Sequence, residues 1–293
     1  MKRLWRFTLA VLMLIAGLTV WSSYLTVENS QEKDKMTNAI TTETYKVHYD
    51  DKSLYGVMTA PKDYQSKKLP TIIMAHGFNA TLEQYDSFAE HFAKLGYLVY
   101  SFDFFGGSPR TKSGGQDMLD MSVTTELHDL AQVVEQLTAE PFVDASQISL
   151  MGTSQGGVVT SLYAADHPER VHQLLLIFPA FVLFDDVKDT YKRLGSPALD
   201  AIPEKVTHHN ANLGSIYIKD ALAIDITEKQ KAIAVPTIIV HGTADTIAPY
   251  HYAEEAKQTI PDATLVTVEG GGHRIDPHFE EVALEAFTKF LKK

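Results

Sequence analysis

Ser154 lies in the short pattern of this chain that is best suited to nucleophilic chemistry. It stands between two glycines in Gly152-Thr-Ser-Gln-Gly156, after an apolar strand-like run and before a helix-like run, Val158–Ala165. A strand, a sharp turn and a helix in this order lift the serine hydroxyl out of a sheet, above the N-terminus of the helix. The flanking glycines permit the tight turn. The pattern predicts that Ser154 is a nucleophile that forms a covalent intermediate.

A serine nucleophile needs a general base, and the base needs an acid that orients it. Two later strand-like runs end near suitable residues: Asp245 follows Pro236–Val240, and His273 follows Ala263–Val268 and three glycines. Reactive groups gather at the carboxyl ends of parallel strands, and the chain order Ser154, Asp245, His273 is the one expected for a nucleophile on such a turn. We therefore predict that these three residues form a catalytic triad.

Two backbone N–H groups are candidates for an oxyanion hole. Gln155 directly follows the predicted nucleophile, and Phe78 lies in the turn after the apolar strand Pro70–Ala75. Donors at these two positions face the charge that develops on the substrate oxygen in the transition state. Together with the predicted triad, they indicate acyl transfer to the serine.

The elements that position these residues alternate between strands and helices. Short apolar runs typical of buried strands are separated by stretches with helical spacing, such as Val123–Leu137, where Leu127, Leu130, Val134 and Leu137 share one face. The alternation predicts an α/β fold with a mostly parallel central sheet and helices on both faces.

One stretch interrupts this alternation. Residues 181–232 have weak periodicity and lie between two strong strand patterns. Because a structureless loop of this length is uncommon inside a compact domain, we interpret residues 181–232 as a small inserted cap over the edge of the sheet. The α/β core then comprises residues 45–180 and 233–293.

The N-terminal segment is predicted to lie outside this core. Three basic residues among the first six precede an apolar run, Phe7–Leu25, whose length suits a membrane span of about 20 residues. Residues 1–27 are interpreted as an uncleaved membrane anchor, a cleaved signal peptide or, as a third alternative, a buried helix, and residues 28–44 as a polar linker. The basic flank favours a cytoplasmic N-terminus, so the rest of the chain is predicted to be outside the cytoplasm, either anchored or secreted.

Composition excludes several other kinds of chemistry. The 293 residues include no cysteine, so the chain has no disulfide, cysteine nucleophile or thiolate metal site. The net charge of −11 and the lack of a basic stripe argue against nucleic acid as a partner. His208-His209 has no third ligand at suitable spacing. No metal is therefore predicted, and the predicted triad requires no cofactor.

Four short motifs together resemble a known superfamily. They are His76-Gly-Phe78, Gly152-Thr-Ser-Gln-Gly156, His241-Gly-Thr-Ala-Asp245 and Gly272-His273. In this order and spacing they resemble the α/β-hydrolase superfamily. Within it, the Ser-Gln-Gly-Gly turn, the His-Gly-Phe turn and the short cap resemble the bacterial feruloyl (cinnamoyl) esterase-like hydrolases, over about Tyr45 to Leu291.

The resemblance implies an α/β-hydrolase fold and the hydrolysis of small-molecule carboxylic esters whose aromatic acyl group is held under the cap. It also implies that a cap tyrosine lies near the acyl group, and Tyr217 is the matching residue. We therefore predict a serine carboxylesterase. An aminopeptidase-like or lysophospholipase-like hydrolase of the same fold stays open, because the nucleophile turn does not distinguish esters from amides. A non-catalytic binding module is the other alternative, since a fold does not determine function.

Overall fold

The computed structural model describes residues 39–114, 117–208 and 211–292. The strands within these residues are β1 (Ile40–Tyr49), β2 (Lys52–Pro61), β3 (Leu69–Ala75), β4 (Leu98–Phe102), β5 (Val143–Thr153), β6 (Gln173–Ile177), β7 (Lys205–His208), β8 (Ala211–Gly214), β9 (Thr237–Gly242) and β10 (Ala263–Val268). The α-helices within them are α1 (Asp86–Lys94), α2 (Val123–Thr138), α3 (Gln155–Asp166), α4 (Leu183–Arg193), α5 (Ser215–Leu222), α6 (Ile226–Ala232), α7 (His251–Thr259) and α8 (Pro277–Phe290).

Eight of these strands form one sheet, in the order β1-β2-β4-β3-β5-β6-β9-β10. β2 pairs antiparallel with β1 and with β4, whereas every pair from β4 to β10 is parallel. The central strands are continuous apolar runs because they are covered on both faces. The predicted mostly parallel sheet is therefore confirmed.

Alternating side chains of the central strands contribute to two hydrophobic cores. Ile73 and Leu150 belong to the first core, whereas their neighbours Ile72 and Met151 belong to the second. Successive residues of a strand point to opposite faces, so the two cores lie on opposite sides of the sheet. α2, α3 and α7 pack on the first core, and α1 and α8 pack on the second. The helices thus cover both faces, as predicted.

The segment interpreted as a cap contains three helices and a hairpin. α4, α5, α6 and the antiparallel pair β7–β8 all lie between β6 and β9 in the chain. Only four of the 11 residues of α4 are buried: Leu183, Phe184, Val187 and Thr190. Its remaining residues are mostly charged, so α4 is an amphipathic helix with one narrow apolar face, and the interpretation of weak periodicity was wrong for this helix.

The chain enters the sheet earlier than predicted. β1 begins at Ile40, so the last residues of the predicted linker, 28–44, belong to the sheet, and all ten residues of β1 pair with β2. The polar side chains of residues 42–44 are exposed because β1 is an edge strand. The prediction of a linker as far as residue 44 was wrong for this reason.

The predicted leader, residues 1–27, lies outside the described residues. Within the described part of the chain, every helix is too short or too polar to cross a membrane.

Candidate active site

Ser154 stands at the turn between β5 and α3, in a strained backbone conformation. Its φ and ψ angles are 54° and −120°, a combination that residues with a side chain rarely adopt. Two hydrogen bonds hold the turn, because the Ser154 N–H donates to the Ile177 carbonyl (3.0 Å) and the Ser154 carbonyl accepts from the Ala180 N–H (3.0 Å). Both partners belong to the end of β6 and the loop after it. The surrounding structure therefore maintains the strain and leaves the serine only half-buried.

Two glycines let neighbouring backbone approach this serine closely. A Cβ on Gly156 would lie 2.1 Å from the Ala75 carbonyl oxygen, so α3 reaches the end of β3 only because this side chain is absent. A Cβ on Gly77 would lie 3.0 Å from the Ser154 Cβ. The turn that contains Gly77 and Phe78 therefore lies directly against the serine.

The structure brings Ser154, His273 and Asp245 into one hydrogen-bonded chain. His273 Nε2 lies 2.9 Å from Ser154 Oγ, and His273 Nδ1 lies 2.7 Å from Asp245 Oδ2. Asp245 follows β9 and His273 follows β10, adjacent parallel strands whose carboxyl ends lie at the same edge of the sheet. The side chain of His273 is 17% exposed, whereas that of Asp245 is fully buried. The three residues predicted to act together thus meet at a point that solvent can reach.

Asp245 is held as a carboxylate by donors on several sides. Its Oδ1 accepts from the N–H groups of Ile247 (2.9 Å) and Ala248 (2.8 Å). Burial opposes ionisation, but hydrogen bonds from His241, His273 and Ala248 hold the pKa of Asp245 well below its ordinary value. An anionic Asp245 favours a proton on Nδ1 of a neutral His273, which leaves Nε2 as an acceptor facing the serine hydroxyl.

Phe78 and Gln155, the two residues of the predicted oxyanion hole, lie close to the nucleophile. Both residues line the same cavity as Ser154 and His273. Gln155 is the first residue of α3, so its backbone N–H has no acceptor within the helix. The two predicted donors therefore belong to different structural elements, the turn after β3 and the N-terminus of α3.

A buried histidine supports the turn that contains Phe78. His76 Nε2 accepts a hydrogen bond from the Phe104 N–H (3.0 Å), which requires the proton on Nδ1, and Nδ1–H donates to the Gly77 carbonyl (2.8 Å). Burial lowers the pKa of His76. The ring is therefore neutral and connects the turn after β3 to the loop after β4.

Two cavities meet at Ser154 and His273. The cap-side cavity has a volume of about 290 Å³ and is lined mainly by apolar side chains, together with Asp186 and His208; the apolar ones are Phe78, Ala180, Val182, Leu183, Tyr217 and Ile247. The loop-side cavity has a volume of about 500 Å³, and its lining includes the polar side chains of Gln84, Ser87, Thr153, Arg274 and Glu280. A bond held at the serine hydroxyl would have a mainly apolar space on one side and a more polar space on the other.

Tyr217 lies on α5 and lines the cap-side cavity. It is only 2% exposed, and its ring meets the Phe78 ring at an interplanar angle of 64°, with the ring centres 6.4 Å apart. Its hydroxyl donates to Gln155 Oε1 (2.7 Å). The cap tyrosine chosen from the family resemblance therefore lies beside the nucleophile, with its hydroxyl proton already engaged.

One buried acid next to these residues was not predicted from the sequence. Glu126 on α2 is 1% exposed, and its Oε2 accepts a hydrogen bond from Gln155 Nε2 (2.8 Å). Burial raises the pKa of Glu126 to about 8, opposed by the hydrogen bond from Gln155 and reinforced by Asp129. The spacing did contain a signal, because Glu126 lies four residues before the buried Leu130, on a helix face where an acid is uncommon.

Comparison with known proteins identifies the family of this chain. The family model described as "Serine aminopeptidase, S33" matches residues 66–220, just over half of the 293-residue chain, and the model described as "TAP-like protein" matches residues 219–293. Monoacylglycerol lipase ABHD6 of Homo sapiens is 25% identical over 247 residues, which cover 70% of this chain and 70% of the relative. Monoglyceride lipase of Rattus norvegicus is 24% identical over 239 residues, which cover 72% and 77% of the two chains.

A solved structure of Est1E from Butyrivibrio proteoclasticus with ferulic acid bound has a TM-score of 0.73 and 25% identity, over 85% of this chain and 98% of that chain. The predicted α/β-hydrolase fold is thereby confirmed, as is the prediction of a serine hydrolase. The chain belongs to the α/β-hydrolase superfamily, in the family described as serine aminopeptidase S33.

Proposed function

We propose that this protein is a serine carboxylesterase in which Ser154 is the nucleophile, His273 the general base and Asp245 the carboxylate that orients His273. The observation that carries the proposal is the unbroken hydrogen-bonded chain from Asp245 through His273 to Ser154, located where the two cavities meet. The two curated relatives are named as lipases of monoacylglycerol or monoglyceride, which supports an ester as the substrate.

The proposed reaction has two halves. In the first, Ser154 Oγ attacks the ester carbonyl carbon while His273 Nε2 takes the hydroxyl proton, and His273 then gives this proton to the departing alcohol as the C–O bond breaks. In the second, His273 removes a proton from water, the water attacks the acyl carbon, and the proton returns to Ser154 as the acid leaves. Asp245 stabilises the imidazolium that forms in each half.

The backbone N–H groups of Phe78 and Gln155 are proposed to bind the oxyanion of both tetrahedral intermediates. Their donors come from the turn after β3 and from the N-terminus of α3, whose positions are set by the close contacts at Gly77 and Gly156. Loss of one donor of this kind lowers kcat by about 10²–10³-fold in comparable sites. This preorganised pair therefore supplies a large part of the proposed rate enhancement.

The acyl group is proposed to occupy the cap-side cavity and to be aromatic. The cavity of about 290 Å³ is lined mainly by apolar side chains, including the rings of Phe78 and Tyr217. Because the Tyr217 hydroxyl donates its proton to Gln155, its oxygen is available as an acceptor, and a hydroxyl on the acyl ring would donate to it. The likeness to Est1E with ferulic acid bound supports this choice.

A second candidate substrate is a monoacyl ester of glycerol. The polar lining of the loop-side cavity suits an alcohol with free hydroxyl groups, and the names of the two curated relatives point to the same class. The aminopeptidase-like and lysophospholipase-like alternatives use the same nucleophile and differ only in what the two cavities accept.

The location of the reaction is also a proposal. We propose that residues 1–27 anchor the protein to a membrane or are cleaved on export, so that the hydrolase acts outside the cytoplasm. Support comes from the sequence alone, in the basic residues that precede the apolar run Phe7–Leu25.

Labelling with a fluorophosphonate probe tests the nucleophile. The wild-type chain should be labelled, whereas Ser154→Ala should lose labelling and lose about 10⁴–10⁶-fold in kcat without losing its fold. Ser161→Ala is the matched control, because Ser161 lies on α3 and its hydroxyl donates to the Gly157 carbonyl (2.7 Å). This control should retain labelling and activity. A Ser154→Ala variant with more than a tenth of wild-type activity would contradict the assignment.

A substrate panel tests the proposed acyl group and the class of substrate. Values of kcat/KM should be measured for feruloyl, acetyl, octanoyl and decanoyl esters, a monoacylglycerol, a lysophospholipid and an aminoacyl amide. A preference for the feruloyl ester supports the aromatic-acyl proposal. If the feruloyl ester is not cleaved, that proposal fails while the serine-hydrolase assignment stands.

A further inference from the structure

Glu126 is a buried acid that the proposed reaction does not use. It lies on α2, is 1% exposed, and accepts a hydrogen bond from Gln155 Nε2 (2.8 Å). Its other oxygen, Oε1, has no hydrogen-bond partner among the described residues. Burying a carboxyl group with an unpartnered oxygen is unfavourable, so the arrangement requires an explanation.

Gln155 connects Glu126 to the cap. The amide nitrogen of Gln155 faces Glu126, its amide oxygen accepts from the Tyr217 hydroxyl (2.7 Å), and all three side chains are buried. The same residue carries one of the two proposed oxyanion donors on its backbone. We refer to these three residues as the Glu126–Gln155–Tyr217 network.

The backbone on either side of Gln155 is restrained, whereas the Gln155 N–H itself has no acceptor within α3. The residue before it is the strained Ser154, with a φ of 54°, and Gly156 and Gly157 follow it. The backbone of Ser154 is hydrogen-bonded on both sides and Gly156 packs against the Ala75 carbonyl, whereas the N–H of the first residue of a helix is not held by an intrahelical hydrogen bond. The two side-chain hydrogen bonds therefore anchor the residue that carries the donor.

We propose that Glu126 is a positioning residue for the oxyanion hole: by holding the Gln155 side chain, it keeps the Gln155 backbone N–H directed at the point where charge develops on the substrate oxygen. This inference rests on the proposed serine-hydrolase mechanism. An interaction that acts in the transition state affects kcat, whereas one that only binds substrate affects KM. Loss of Glu126 is therefore expected to lower kcat with little change in KM.

Three variants of the full chain test this role with a small acetyl ester. Glu126→Leu removes the acceptor, Gln155→Met removes the side-chain hydrogen bonds but keeps the backbone N–H, and Glu126→Gln keeps an acceptor for Gln155. The first two should lower kcat by about tenfold, less than the loss of a whole donor, with KM unchanged within about twofold. Glu126→Gln should retain at least about half of the wild-type kcat. The Glu126→Leu/Gln155→Met double variant should be no slower than Gln155→Met, because both changes remove the same connection.

Asp129→Asn is the matched control on the same helix. Asp129 is also 1% exposed, but it accepts hydrogen bonds from the Tyr49 hydroxyl and from the Phe105 N–H rather than from Gln155. This variant should lower the Tm while kcat stays within about twofold of wild type. A tenfold loss of kcat in Asp129→Asn would overturn the inference, because any disturbance of α2 would then suffice.

Two other results would also overturn it. Losses that multiply in the double variant would show that Glu126 acts independently of Gln155. An unchanged kcat in Gln155→Met would show that the side-chain bonds do not position the donor, and this result decides the question even if Glu126→Leu does not fold. Fluorophosphonate labelling of the wild type at Ser154 separates these outcomes from a failure of the proposed function.

Discussion

Replacing Glu126 by glutamine is expected to stabilise the fold relative to the wild type, by an amount that grows as the pH rises from 5 to 8. Burial raises the pKa of Glu126 to about 8 from its ordinary 4.5. Between these two values the folded chain holds a proton that the unfolded chain has released, so the stability of the wild type falls as the pH rises. This loss begins near pH 4.5 and is complete above about pH 8. Glutamine does not ionise, so the free energy of unfolding of the variant does not fall for this reason.

The pKa difference sets the size of the effect. One pKa unit corresponds to about 1.4 kcal/mol, so between pH 5 and pH 8 the wild type should lose on the order of 3 kcal/mol relative to Glu126→Gln. This is a large fraction of the roughly 5–15 kcal/mol by which folded proteins are stable. The effect should therefore be visible in ordinary denaturation experiments.

Urea unfolding of both chains at pH 5, 6, 7 and 8 measures this difference. Asp129→Asn is the internal comparison, because burial raises the pKa of Asp129 only to about 6, opposed by its hydrogen bonds from Tyr49 and Phe105. The stability difference between Asp129→Asn and wild type should stop growing near pH 6, whereas that of Glu126→Gln should grow until about pH 8. A Glu126→Gln difference that stays constant from pH 5 to 8 would refute the reasoning, since Glu126 would then be ionised in the fold throughout.

Three further predictions concern the base, the cap and the N-terminal segment. Acidification should reduce kcat/KM because the proposed base must be unprotonated to accept the Ser154 proton, whereas Asp245 stays ionised because hydrogen bonds hold its pKa well below its ordinary value; a kcat/KM that does not fall on acidification would contradict this assignment. Tyr217→Phe should reduce kcat/KM by about tenfold more for a feruloyl ester than for an acetyl ester, since it removes an acceptor worth about 1–3 kcal/mol; equal losses would limit Tyr217 to supporting Gln155. A chain that starts at Ser30 should be soluble and active, because β1 begins only at Ile40, and the full chain should sediment with membranes; an insoluble, inactive truncation would show that the leader packs into the domain.

The parts of the site that depend on short patterns could be predicted from the sequence. The turn at Ser154 needs only its glycines and the strand and helix on either side, all within about 20 residues. Asp245 and His273 each follow an apolar run, and parallel strands bring such positions to one edge of the sheet. Their meeting with Ser154 therefore follows from the order of the strands.

Some elements could not be recognised from the sequence. Their many polar residues are exposed to solvent and do not indicate a lack of structure. Residues 41–44 of β1 are polar because this strand lies at the edge of the sheet, and this made residues 40–44 resemble a linker. α4 buries only four of its 11 residues, so its charged positions outweigh its apolar ones. In both cases the partner that covers the apolar side was not evident from the local sequence.

Tertiary structure alone decided the surroundings of the nucleophile. Glu126 lies 29 residues from Gln155 in the chain, and Tyr217 lies 62 residues from it, on helices that meet only when the cap packs on the core. No local pattern specifies that the Gln155 amide will face an acid on one side and a phenol on the other. The sequence by itself determined which residues could react, because backbone preferences and strand order are local, whereas burial and the pKa of Glu126 depend on packing between distant segments.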